Sequence, residues 1–325
     1  MSTSPPSLPR RADAPAAVTP GAAAAAPPSR AALVLAFAAI YLIWGSTYLG
    51  IRVAVGTIPP FLMAGTRFLI AGGLLFAWLT FVRGAPRPTL AQWRVNAVIG
   101  TFLLLGGNGL VVWAEQTIPS GVTALLIGVG PLFIVLTEWA WPGGTRPSAV
   151  TLGAMVLGFA GVTWLAAPWK ADTTGGLHVP GLLAILAACC FWAIGSIYSR
   201  RAQHGDPLLA SALQMLGGGA ALLITALVHG DFGGFQLAAV APRAWIAYAY
   251  LIAAGSLVGF STFVWLMKHT TPARVSTYAY VNPVVAVFLG WLILHEPISS
   301  RTIIASIVII AAVAIITTEK ARAAK

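Results

Sequence analysis

Apolar residues in this 325-residue chain fall into repeated blocks, separated by short polar or charged stretches. Each block is about 20 residues long, the length a helix needs to cross the roughly 30 Å hydrocarbon layer of a bilayer. Hydrophobic residues make up 58% of the chain and charged residues only 8%. A soluble domain of this size needs more charge on its surface than that. The blocks predict an all-α polytopic membrane protein with ten transmembrane helices, at 31–50, 60–80, 95–114, 119–141, 149–168, 180–198, 208–228, 244–266, 273–293 and 302–318. Residues 1–30, rich in Pro, Ala and Ser, read as a disordered cytoplasmic tail, and 319–325 as a short cytoplasmic C-terminal tail.

The net charge of +11 does not point to nucleic acid, because the basic residues form no stripe or aromatic-interleaved patch. Their distribution orients the chain instead. With the N-terminus in the cytoplasm, fourteen Lys and Arg residues fall in cytoplasmic segments, Lys268, Lys320, Arg322 and Lys325 among them. Only Arg52, Lys170, Arg243 and Arg301 fall outside, and Arg67 lies within a span. This is the bias that the positive-inside rule requires, and it predicts that both termini are cytoplasmic. The adjacent Cys189 and Cys190 lie in an apolar block and read as buried side chains.

The chain also matches itself. Trp113 precedes Pro131 by 18 residues and Trp139 follows it by 8; Trp265, Pro283 and Trp291 repeat both intervals. Gly45-Ser46-Thr47-Tyr48 pairs with Gly195-Ser196-Ile197-Tyr198, and Pro60 with Pro207. Two five-helix repeats, over 31–168 and 180–318, are the expected result. Five is odd, so the repeats enter the membrane in opposite directions, an arrangement suited to alternating access around a central site.

Several segments carry a resemblance. They are Tyr41-Leu42-Ile43-Trp44-Gly45-Ser46-Thr47-Tyr48, Arg67-Phe68, Pro119 and Gly130-Pro131 in the first half. In the second they are Pro272, Tyr280-Val281-Asn282-Pro283 and Gly290-Trp291-Leu292-Ile293-Leu294-His295-Glu296-Pro297. With the span count and the duplication, these resemble the EamA-type exporters of the drug/metabolite transporter superfamily, over about residues 31–318. The resemblance implies secondary transport, usually efflux, of small metabolites such as amino acids, with no cofactor. Family halves commonly close their fourth span with a Gly-Glu turn. Glu296 supplies it in the second half, where the resemblance implies a structural role, but the first half has Pro142-Gly143-Gly144-Thr145.

Candidate pathway residues follow from depth and spacing. Arg67 stands seven residues beyond Pro60, about 10 Å into the membrane, where a cation needs a partner or a wet cavity. Glu115, at the outer end of span three, and Asn108, seven residues deeper, are its candidate partners. Arg67 offers either a planar fork to a substrate carboxylate or a structural ion pair. Gln214 occupies the same place in the second repeat, toward the cytoplasm. Trp44 and Tyr48 share one helix face and serve either as cavity lining or as packing. Tyr278 and Asn282 share a face just before Pro283, and Pro131 and Pro283 are candidate helix bends.

No carboxylate is expected at a span centre, which weakens a simple proton antiport; facilitated diffusion or substrate exchange stays open, and the coupling, to a proton or to a substrate gradient, is not set. The partners are a small-molecule solute and the lipid bilayer; ten spans suffice for one pathway, and the oligomeric state is not set. No nucleotide-binding, zinc-protease or nucleophile motif is present, so the reading is not that of an enzyme.

Overall fold

The computed structural model describes residues 28–144, 146–166, 178–202, 205–270, 272–275 and 277–323. Residues 1–27, Lys170 and Lys325, and the side chains of Lys268, Lys320 and Arg322, lie outside the described residues.

Among the described residues, ten apolar helices form the bundle. They are α1 (Arg30–Ala54), α2 (Pro60–Val82), α3 (Leu90–Ala114), α4 (Ser120–Ala140), α5 (Ala149–Ala166), α6 (Val179–Arg201), α7 (Pro207–His229), α8 (Pro242–Phe263, running on to His269), α9 (Tyr278–Leu294) and α10 (Ser300–Ala323). Eight are long and apolar enough to cross a membrane; α5 and α9 are shorter. The sequence predicts a full span at 273–293. In the structure α9 is shorter because the chain before it folds as a separate turn, Pro272–Val275.

Proline sets several helix starts. Pro60, Pro180, Pro207 and Pro242 each stand in a first turn, where a missing N–H costs nothing. Gly230 ends α7 in the left-handed region at φ 87°, which the absence of a Cβ makes cheap.

Packing brings together helices five apart in the chain. α2 lies along α7, α5 along α10, and the first part of α4 along α9. α1 packs on α8 and α9, and α6 packs on α3 and α4. Two large apolar cores result, one mainly among α1, α2, α3, α7 and α8, the other among α3–α6, α9 and α10, with a smaller cluster around Ile40, Leu266 and Val275. Without a hydrophobic force between helices in lipid, close approach depends on small residues. At the α3–α7 crossing, a Cβ on Gly218 would meet the Gly100 carbonyl oxygen at 2.5 Å. A Cβ on Gly45 would lie 2.7 Å from Val285, which shows how closely α1 meets α9. Large apolar side chains such as Phe81, Val156, Ile246 and Val228 point outward, as a lipid-facing surface requires.

Two departures from ideal helix bear on the site. α3 widens into a π-helical segment at Thr101–Gly109, and α8 does so at Leu251–Val258, almost the equivalent register of the repeat. Such segments recur where helices serve function. α4 is broken at Gly128 and Val129, between Ser120–Ile127 and Gly130–Ala140. Pro131 therefore restarts a helix rather than bending one. Pro283 lies inside α9, which runs through it unbroken.

Candidate functional site

Polar side chains cannot find water inside an apolar bundle, so each buried one needs a partner in the protein. Among the described residues, a small group fails this test. Arg67 Nη1, Asn108 Oδ1, both carboxylate oxygens of Glu115, Thr123 Oγ1 and Asn282 Oδ1 are buried without a hydrogen-bond partner. Five of the six atoms belong to Arg67, Asn108, Glu115 and Asn282, four residues that the sequence singles out; Thr123 it does not.

Arg67, 5% exposed, comes from α2. Its Nε donates to Ser256 Oγ at 3.1 Å, and its guanidinium carbon lies 4.4 Å from the Phe68 ring centre. Ser256 stands in the π segment of α8. The fork is thus held by the second half while Nη1 stays open. The expected contacts to Glu115 and Asn108 are not direct: Arg67 turns to Ser256, which the widened α8 brings within reach. Beside it, Tyr248 donates to Thr66 Oγ1 at 2.8 Å, and Tyr248 lies close enough to act electrostatically on Arg67.

Glu115 follows the last turn of α3 and is fully buried. The sequence places it at a span end, near water; the structure closes that end over it. Arg52 donates to its backbone carbonyl oxygen, which ties α1 to the turn after α3. Its carboxylate oxygens have no hydrogen-bond partner among the described residues. Tyr48 lies within electrostatic range of both Glu115 and Tyr278.

Trp44 meets Tyr278 edge to face at 5.2 Å and Phe263 at 5.2 Å, an aromatic cluster joining α1, α8 and α9. Next to it Tyr41 and Thr277 share a 2.6 Å hydrogen bond, and Ser46 shares one of 2.5 Å with Tyr250. Asn282 is 6% exposed, and its backbone oxygen lies against Gly45. Of these candidates, Trp44 and Tyr278 are in direct contact, while the buried Arg67 and Glu115 and the half-buried Tyr48 lie nearby with no hydrogen bond between them. Asn108 lies in the π segment of α3, and its Oδ1 accepts no hydrogen bond from Arg67.

Gln214 falls elsewhere. Its Nε2 donates to Asn96 Oδ1 at 3.1 Å, and Asn96 Nδ2 donates to the Gln92 carbonyl at 2.9 Å. The amide that aligns with Arg67 is therefore already satisfied, by a residue of the other half that the sequence does not flag. Asn96→Ala or Gln214→Ala leaves one buried amide unpaired, a cost of about 1–3 kcal/mol. The double variant should cost no more than either single change, which thermal unfolding in detergent measures as a coupling.

A bundle of long apolar helices with charged and polar side chains buried inside it is a polytopic membrane protein. The chain belongs to the EamA-like transporter family, whose model matches residues 31–167 and 179–318. It is 36% identical over 286 residues to the uncharacterized inner membrane transporter YedA of Escherichia coli (strain K12), covering 87% of this chain and 89% of that one. It is 28% identical to the uncharacterized transporter YvbV of Bacillus subtilis (strain 168), over 90% and 93% of the two chains. A solved crystal structure shares the fold at a TM-score of 0.61 and 24% identity, covering 89% of this chain and 98% of that one. The protein is thus a membrane-embedded helical transporter of small molecules, not an enzyme.

Proposed function

We propose that this chain is an inner-membrane carrier, with both termini cytoplasmic, that exports a small polar metabolite such as an amino acid by alternating access. Two inverted five-helix repeats, 31–168 and 180–318, rock about the path between Arg67 and Asn282. The pairing of α2 with α7 and of α5 with α10, helices at equivalent places in the repeat, supports that symmetry. The similarity to YedA, an inner membrane transporter, supports the location. The excess of basic residues in the segments assigned to the cytoplasm supports the orientation.

The observation that carries the reading is the set of buried polar atoms without partners. Each unpaired group costs about 1–3 kcal/mol in a dry bundle. A solute bearing a carboxylate and a hydrogen-bonding body recovers that cost. Its carboxylate would meet Arg67 Nη1, and its donors Glu115, Thr123 and Asn282. Trp44, Tyr48 and Tyr278 supply faces for the apolar part.

Counterflow into proteoliposomes, run with radiolabelled amino acids, sugars, nucleobases and a cationic drug, tests this. The expected result is saturable accumulation of one class, driven by the same unlabelled compound inside. Flux that neither saturates nor shows counterflow would point to a channel and reject the carrier reading.

A further inference from the structure

Helices α2 and α4 share an unusual start. Each follows a proline, Pro59 or Pro119, in the position where a side-chain oxygen ordinarily accepts the first free N–H groups. Proline has no such oxygen, and neither helix has a cap from its own start. In both cases the acceptor comes from the second half. Asp231, in the turn after α7, accepts from the Leu62 N–H at 2.9 Å and is 6% exposed. Glu296, just after α9, accepts from the Ser120 N–H at 2.8 Å, the Ser120 hydroxyl at 3.0 Å and the Gly121 N–H at 3.1 Å.

Local structure aims both carboxylates. His295 takes up a left-handed conformation at φ 55°, and the Glu296 N–H folds back to the Gly290 carbonyl at 3.1 Å. A Cβ at Gly290 would lie 2.5 Å from Glu296 Oε2, so only glycine leaves the carboxylate its place. His229 Nδ1 holds the other oxygen of Asp231 at 2.6 Å. Both bonds lie at the end of the bundle where α3 passes into α4, read above as the outer end.

The repeat makes the asymmetry plain. Glu296 aligns with Gly144 in the first half, and the α2–α3 connection that corresponds to the turn of Asp231 runs Arg83-Gly84-Ala85-Pro86-Arg87-Pro88-Thr89. Neither place offers a carboxylate. α7 is capped by its own Asp206, which accepts from Leu208 and Leu209 at 3.0 and 3.1 Å. The first part of α4 packs on α9 and α1, whereas Gly130–Ala140, beyond the break, packs chiefly on α6.

We propose that Glu296 and Asp231 form a latch across the two halves that holds the outer end shut, and that releasing it is the step that exposes the path to the outside. The proposal rests on the alternating-access reading. Opening α4 away from α9 must break three charge-assisted bonds at Glu296 together. At the cytoplasmic end the carboxylates that join the halves are more exposed: Glu138 pairs with Arg200 at 3.5 Å, and Glu319 accepts from the Ser148 hydroxyl at 2.9 Å. Exposed pairs hold less firmly than buried ones, so the carrier rests closed to the outside.

Site-directed labelling tests this without knowledge of the solute. In the full-length chain with Cys189 and Cys190 replaced by serine, Ala124→Cys places a reporter one turn below Gly121, in the half of α4 that packs on α9. Ala124 is 1% exposed. Ser211→Cys, in α7 at the opposite end, where Ser211 is 3% exposed, reports general loosening. Labelling by a membrane-impermeant maleimide is followed in nanodiscs. Glu296→Gln and Asp231→Asn should each raise the rate at position 124 by about tenfold or more, because charge-assisted bonds bias a two-state equilibrium at least that far. The rate at position 211 should not change. No rise at position 124 in either variant, or an equal rise at both positions, overturns the latch. The two variants act at different helices, so one that fails to fold leaves the other decisive. A carrier that shows no counterflow would instead reject the transport reading and leave this measurement standing.

Discussion

Arg67→Lys should leave the protein in the membrane at close to its normal level and lower counterflow roughly 30-fold, about 2 kcal/mol. Lysine keeps the charge but not the fork. The Arg67 guanidinium uses Nε on Ser256 and leaves Nη1 free for a second partner, and no single ammonium reproduces both directions. Arg67→Ala should lower flux further. Ser256→Ala removes the group that orients the fork, and should give a smaller loss in the same direction. Flux and abundance must be measured together: if both Arg67 variants lose activity only in proportion to abundance, Arg67 is a structural residue and the carboxylate-binding role fails.

Gly100→Val should be the most destabilising single change. A Cβ at this position would overlap the backbone carbonyl of Gln214 and come within 2.9 Å of the Gly218 nitrogen. Those atoms belong to the α7 backbone, which cannot swing aside as a flexible side chain would. α3 and α7 must move apart, and the Asn96–Gln214 bond one turn away separates with them. A cost of about 3 kcal/mol or more is expected. It should appear as a large fall in melting temperature and in monodisperse yield. Gly73→Ala is the control, because nothing lies within 4 Å of a Cβ there. Equal stability of the two variants would mean that the α3–α7 crossing is not close-packed.

Much of the fold can be read from the sequence because lipid imposes a simple rule: apolar blocks of one length must be helices. The Thr117-Ile118-Pro119 connection, short as it is, does separate α3 from α4. The repeated Trp–Pro–Trp intervals fall on α3–α4 and α8–α9, which carry matching π segments. What stayed hidden depends on partners far apart in the chain. Ser256 looks like any small residue in an apolar run until α8 widens and brings it to Arg67. Asn96 reads as a polar residue near a span start until Gln214 reaches it from the other half. The buried position of Glu115 depends on Arg52 and on the turn that closes over it. Pro131 and Pro283 carry equal signals in the sequence, yet only α4 breaks, at Gly128 and Val129.

Because α2 and α4 begin on prolines and take their terminating oxygens from Asp231 and Glu296, the first repeat does not contain everything its own helices need. Expressed by itself, a fragment ending near residue 167 would carry naked amide hydrogens beside lipid. It would be a docking-dependent piece rather than an autonomous domain. Duplication here has produced dependence: the later copy finishes the earlier one, and neither can be traded for a second version of the other.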